Sequence, residues 1–327
     1  MKILDTIGRW AIAACVAAAP AAQAQAPAAY PDAPIKLVVA WSPGGATDIL
    51  ARMIALGLGK ELGQQVVVDN RPGANGTIGH AYAAKAAPDG YTLILATNST
   101  YAIAQHLYRS LPYRHERDLA PVSLVAASPL ILTARPGLGA DNVAQLVERA
   151  RQNPGGLNLS SGGNGSTSHL AGEQFMALTG ASMTHVPYKG GGPAANAVVA
   201  GEVDVAFLDL GVALPFISAG RLKALGVGGT ARSPVLPEVP SISEAGVPEF
   251  ESTTNFGLFA PAGTPAAVID KLSGAVQAVM QDQALRAKLL GQGVEVVAST
   301  PEALGRSVAA ESAKWGKIIS ERNLALD

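Results

Sequence analysis

The sequence predicts an α/β protein built as two lobes around a central ligand cleft, and three observations predict it. Short apolar runs rich in β-branched residues alternate with stretches of helical periodicity, the pattern of parallel strands joined by crossover helices. The order strand, glycine loop, helix occurs at 37–52 and again at 157–170. The chain also leaves the first strand–helix group near Ala127 and returns to it near Glu249, which implies a discontinuous first lobe and a hinged cleft. The expected division is 27–127 plus 250–327 for lobe 1 and 128–249 for lobe 2.

The elements follow in order. Residues 1–26 read as a secretory signal peptide. Lys2 and Arg9 give a basic start, 10–22 is an apolar Ala-rich run, and Ala24 or Ala26 offers a small-residue cleavage site. Ile12-Ala13-Ala14-Cys15 loosely matches a lipobox, which would instead make Cys15 a lipid anchor. Cys15 is the only cysteine, so cleavage leaves no disulfide, thiol catalysis or thiolate metal site. After a Pro/Ala-rich lead-in, 35–41 is a strand. Ile49, Met53, Leu56 and Leu50, Ile54, Leu58 then recur at helical spacing until Gly63 stops them. Residues 65–68 form a second strand, 70–76 a turn-rich loop, 77–87 a helix and 91–96 a third strand.

Residues 112–121 are charged and irregular, while 122–125 and 130–133 are apolar runs that carry the chain out of the first lobe. In the second lobe, 142–151 is a helix, and a strand at 157–160 leads into the glycine loop. A strand around 185–188 precedes a helix whose first residue is Pro193. Residues 203–208 form a strand ending at Asp209, 214–219 a helix and 222–227 a strand. The Pro/Ser-rich stretch 231–249 is the return path. A strand at 256–260 and helices at 265–280, 283–290 and 303–321 finish the chain.

Composition excludes whole classes of function. The 24 Lys and Arg balance 25 Asp and Glu, so there is no basic field for nucleic acid or a membrane surface. Aromatics at 5% speak against recognition by base stacking. His80, His106, His115, His169 and His185 show no metal-ligand spacing, and no Gly-x-Ser-x-Gly elbow is present. No metal and no cofactor are expected.

Two loops carry the chemistry. In 43–48, Gly44 and Gly45 allow close approach to the backbone, and Thr47 or Asp48 can cap the helix while leaving N–H groups free for an anion. A plain strand-to-helix turn needs the same residues, and both readings stay open. Trp41, before the turn, is either core or a cleft wall. The second loop, 160–168, sets Ser161, Ser166 and Thr167 among Asn164, Gly165 and two further glycines. It matches neither a Walker A loop nor a dinucleotide fingerprint. Hydroxyls and N–H groups without a required cation suit a carboxylate, whereas a plain flexible loop reads the same way. Thr97-Asn98-Ser99-Thr100 sits at the carboxyl end of a strand, where open α/β sheets place ligand contacts, and an ordinary helix cap reads the same way. Asp209 stands at a strand end too. Its charge would repel a carboxylate, so either the ligand carries a donor or Asp209 caps the next helix. Tyr188 with Lys189 offers an aromatic wall and a cation, although a solvated lysine at a loop edge is the commoner outcome of such a pair.

These stretches resemble one family. Trp41-Ser42-Pro43-Gly44-Gly45-Ala46-Thr47-Asp48, Asn70-Arg71-Pro72-Gly73-Ala74-Asn75-Gly76, Gly165-Ser166-Thr167-Ser168-His169-Leu170 and Val186-Pro187-Tyr188-Lys189-Gly190-Gly191-Gly192-Pro193 are similar to the substrate-binding proteins of tripartite tricarboxylate transporters, the Bug receptors. The likeness runs over essentially the whole mature chain. It implies a type II periplasmic binding protein fold and a small carboxylic acid gripped by N–H groups and hydroxyls of both lobes. It assigns 44–48 and 164–167 with the Asp209 region to ligand contact. Trp41 departs from a smaller aromatic, Ser42 from a proline and Leu210 from a polar residue.

The resulting expectation is an exported, periplasmic, non-enzymatic and monomeric receptor. It would deliver a small carboxylate to the membrane subunits of a tripartite tricarboxylate transporter. A receptor feeding a signalling system is the first alternative, and a secreted hydrolase using Ser166 and His169 ranks third.

Overall fold

Ile35, Leu37, Val38 and Val39 bury both faces of β1 (Ile35–Val39), as a strand covered on two sides by helices requires. In the computed structural model, which describes residues 30–322 and 324–325, β1 lies between and parallel to β2 (Val66–Asn70) and β3 (Thr92–Thr97). Helices α1 (Ala46–Leu62) and α2 (Thr77–Ala84) make the crossovers. The expected signal peptide lies outside the described residues. Among the described residues, no helix is long and apolar enough to cross a membrane.

After the short helices α3 (Ala104–Leu107) and α4 (His115–Asp118) comes β4 (Leu119–Ala134), a single strand of 16 residues. The sequence had suggested two separate apolar runs here. Both prolines of the strand are tolerated for a structural reason. Pro121 borders a register shift and Pro129 stands where β4 changes partners, so neither interrupts a regular ladder.

The second half of the chain builds α5 (Val143–Gln152), β5 (Asn158–Ser161), α6 (Thr167–Thr179), β6 (Thr184–Pro187), α7 (Gly191–Ala200), β7 (Val205–Asp209), α8 (Leu210–Ser218) and β8 (Lys223–Val227). Helix α7 starts at Gly191, two residues before the expected Pro193. Proline remains in the first turn, where a missing N–H costs nothing. Helix α8 likewise starts at Leu210 rather than 214, directly after Asp209. Then β9 (Thr253–Pro261), α9 (Ala266–Gln281), α10 (Gln283–Leu290), β10 (Glu295–Val296) and α11 (Pro301–Arg322) complete the fold.

The strands run β2-β1-β3-β9-β4-β7-β5-β6, with β8 and β10 also on β4. The N-terminal part of β4 pairs with β9 and β10, and Leu130–Ala134 pairs with β7 and β8. One core gathers around β1, α1 and α9, and another around β7, α5 and α6. The result is a two-lobe, type II-like α/β fold. At the junction Leu130 N–H donates to Ser252 O, Ser252 N–H to Gly228 O and Gly228 N–H to Leu130 O, a three-segment strap at the base of the cleft.

Candidate functional site

Four helices aim their N-termini at the space between the lobes. In α1, Ile49 N–H is the first to reach a carbonyl in its own helix, Gly45 O at 3.0 Å. The N–H groups of Ala46, Thr47 and Asp48 therefore have no acceptor in the helix. In α6 the first such bond is Leu170 N–H to Ser166 O at 3.0 Å, and in α7 it is Ala194 N–H to Gly190 O at 3.3 Å. Helix α8 begins after Asp209. The summed partial positive charge of these ends favours an anion without any cationic side chain.

Between them lies a cradle of about 50 Å³. Trp41, Gly45, Ala46 and Thr47 line it from the first loop, and Thr97 and Ser99 from the end of β3. The other lobe contributes Gly162, Ser166, Thr167 and Ser168, then Gly190, Gly191 and Asp209, over a floor that includes Leu130 and Phe207. No Lys, Arg or His is among the lining residues. Trp41 and Gly162 also border an outer chamber of about 270 Å³, where Asn75, Asn164, Tyr188 and Lys189 stand.

Of the fifteen candidates named from sequence, the structure brings Trp41, Gly45, Ala46, Thr47, Ser99, Ser166, Thr167 and Asp209 to the cradle. Asn164 and Tyr188 line the outer chamber. Of the other five, Asp48, Asn98, Ser161 and Gly165 are buried beside these walls, and Gly44 is exposed on the first loop, facing Gly192 of the other lobe. Neither Thr47 nor Asp48 is the N-cap of α1; that position is Gly45, with no side-chain cap. The Asp48 carboxylate instead accepts from Gly44 N–H at 3.0 Å, Asn70 Nδ2 at 3.0 Å and Arg52 Nε at 3.1 Å. Burial alone would raise its pKa, yet these hydrogen bonds and the Arg52 charge hold it below the ordinary carboxylate value. Asp48 thus shapes the loop, and Gly44, at φ 82°, makes the turn that β-carbon-bearing residues resist.

Asn98 is fully buried. Its Nδ2 donates to Thr253 O and Glu311 Oε2, both at 3.1 Å, and its Oδ1 accepts the Thr167 hydroxyl of the other lobe at 3.1 Å. Ser161 and Gly165 rest on a histidine pair. His169 and His185 stack at 4.0 Å between centroids; His169 Nδ1 accepts Gly165 N–H at 3.0 Å, and Ser161 Oγ is 2.6 Å from His185 Nε2. The Ser166 hydroxyl donates to Gly163 O and accepts His169 N–H from the backbone. The His169 ring is turned to Gly165 and Glu173, an arrangement of helix capping rather than of nucleophile and base.

Burial, with the His169 partial charge, presses the His185 pKa from 6.5 down to about 4, although Glu173 opposes it. The folded state keeps this ring neutral where the unfolded chain would take a proton. Its stabilising contribution is whole above pH 6.5 and is lost as pH falls toward 4. Melting curves over that window should show the loss, and His185→Gln should make the curve flatter. An unchanged slope in the variant would exclude the pair as a support of this loop.

Thr97 and Ser168, from the strand end and the hydroxyl loop marked in the sequence, also line the cradle, as do Gly190, Gly191, Phe207 and Thr254, which the sequence does not single out as contacts. The Gly190–Gly192 run, which opens α7, resembles the other two glycine loops and is a usable signal. Thr254 comes from the strap region, and nothing local in the sequence marks it.

Among the described residues nine buried side-chain atoms lack a hydrogen-bond partner. Four of them belong to these walls: Trp41 Nε1, both amide atoms of Asn75 and Asp209 Oδ1. Two larger hollows, about 840 Å³ beside α5 and about 450 Å³ beside α4, are lined by no residue of this kind. Unmet polar groups, rather than volume, single out the cleft.

Comparison with known proteins agrees with this geometry. Residues 50–324 match the model of the tripartite tricarboxylate transporter family receptor. Protein BugT of Bordetella pertussis is 36% identical over 326 residues, covering 99% of this chain and 98% of its own. Rpa4515 of R. palustris, solved with adipate, superposes with a TM-score of 0.89 at 36% identity, covering 91% of this chain and all of that one. MatC of Rhodopseudomonas palustris, solved with bound malate, gives 0.85 at 33% identity over 89% of this chain and 100% of that one.

Proposed function

The chain belongs to the tripartite tricarboxylate transporter receptor family, and from that premise we propose that it is a periplasmic, non-enzymatic receptor for a small carboxylate. It takes the ligand between its lobes and hands it, as a monomer, to the membrane subunits of such a transporter. One observation carries the reading: helix N-termini from both lobes converge on a cradle that holds no cationic side chain. Similarity to proteins solved with adipate and malate supports the same ligand class.

Ligand contact falls to Trp41, Gly45, Ala46, Thr47 and Ser99 on one side and to Ser166, Thr167 and Asp209 on the other. Asn164 and Tyr188 meet the part of the ligand that extends outward. Lobe 1 comprises 27–127 plus 250–327 and lobe 2 comprises 128–249, a division supported by the change of β4 partners between Pro129 and Leu130. The N-terminal 26 residues export the chain.

A thermal-shift panel of mono-, di- and tricarboxylates and aromatic acids tests the proposal. A true ligand raises the melting temperature with concentration, by an amount equivalent to about 2.7 kcal/mol at about 100 times Kd. Silence across the panel would refute the carboxylate reading.

A further inference from the structure

Asp209 is the one ionisable side chain in the cradle. It occupies the N-cap position of α8, yet its side chain makes no cap hydrogen bond. The Thr254 hydroxyl donates to one part of its carboxylate, and Oδ1 is buried with no partner. The elements packed around it present no charge: β4 offers Leu130, β9 Thr254, α7 Gly191, α6 Thr167 and α1 Ala46. On α1, Asp48 and Arg52 are paired with each other, and the Asp48 carboxylate is further held by Gly44 N–H and Asn70 Nδ2.

A carboxylate ligand in the cradle therefore meets a second carboxylate, whose Oδ1 is buried. Two like charges in contact at low dielectric repel strongly, and the usual resolution is for the pair to share one proton. We propose that Asp209 is the specificity-determining residue of the cradle, a proton-bearing partner that donates from Oδ1 to the ligand carboxylate, so that binding takes up one proton. The proton comes from solvent and stays in the Asp209–ligand hydrogen bond, leaving the complex one unit less negative than its separated parts. Burial, opposed by the bonds from Thr254 and the Asp209 backbone, already pushes this carboxyl up from 3.8 to about 6 without a ligand. This inference rests on the carboxylate-receptor reading.

The test is calorimetric titration of the full mature chain with adipate, which carries no donor when ionised, and with malate, which carries a hydroxyl. Between about pH 7 and about pH 8.5 adipate is fully ionised, and its Kd should rise about tenfold per pH unit. Paired buffers of different ionisation heat should report close to one proton taken up per adipate. Asp209→Asn keeps a donor and loses the titration, so its Kd should be flat with pH and tighter than wild type at the alkaline end. Should the variant fail to fold, proton uptake by the wild-type chain decides alone. Adipate binding without uptake would overturn the proton role and leave the receptor reading standing. Malate binding with no pH slope while adipate fails would do the same, since Asp209 would then accept a hydroxyl while charged. Binding of neither acid at any of these pH values overturns this inference together with the reading beneath it.

Discussion

Asn98→Ala should cost the fold about 3 kcal/mol and weaken ligand binding as well. The side chain is wholly buried and makes four hydrogen bonds, to Thr253 O, Glu311 Oε2, the Thr167 hydroxyl and Asn255 N–H. Truncation deprives Thr253 O, the Thr167 hydroxyl and Asn255 N–H of this partner, while Glu311 Oε2 keeps the Trp315 indole N–H at 3.0 Å, and each stranded buried group costs about 1–3 kcal/mol before local relaxation. Denaturant unfolding gives the stability loss from the shift in midpoint. Thr167→Val separates the two effects, because it removes the bond across the cleft and leaves Asn98 with its lobe 1 partners. That variant should stay within about 1 kcal/mol of wild type in stability and still bind more weakly. Full stability in Asn98→Ala would show that water replaces the side chain.

Gly192→Leu should lower affinity about 5- to 150-fold while leaving the fold intact, since overpacking of this kind costs about 1–3 kcal/mol. A β-carbon built at Gly192 lies 3.3 Å from Gly44 O, across the cleft on the opposite loop. Gly192 is in the first turn of α7, where a side chain suits the helix and leucine is a good helix former. The added bulk meets its obstacle only when the lobes are together. Small-angle scattering with the best carboxylate from the panel should therefore show a variant that stays more open than wild type. Equal affinity and equal compaction would mean that Gly44 yields freely.

Much of the fold was legible because its cues are local. Periodicity from Ile49 to Leu58, with Gly63 beyond it, marks α1, and the β-branched run from Ile35 marks β1. What the sequence does not mark is long-range. No local feature joins 122–125 to 130–133 as one strand, because β4 is continuous only by virtue of partners that arrive more than a hundred residues later in β9. The site divides in the same way. Gly45 and Ser166 announce themselves by composition, as residues of loops between a strand and a helix. Thr254 reaches the cradle through the sheet and carries no mark of its own. Asp48 looked like a contact, since an acid beside two glycines reads alike whether it faces a ligand or its own loop. Only the positions of Arg52 and Asn70 distinguish the two.

The absence of any Lys, Arg or His from the cradle has a consequence for the tempo of capture. A field made by peptide dipoles fades within about one helical turn, whereas a cluster of full charges acts over about a Debye length, roughly 10 Å at 0.1 M salt. The cradle's own donors therefore do not pull a ligand in from bulk solvent, and any long-range steering comes from full charges outside it, such as Lys189 of the adjoining chamber. Discrimination among acids then falls on residence time, set after entry by how well each anion meets the fixed N–H groups. At one ionic strength, association rates should stay nearly constant across acids of equal charge, while dissociation rates spread widely.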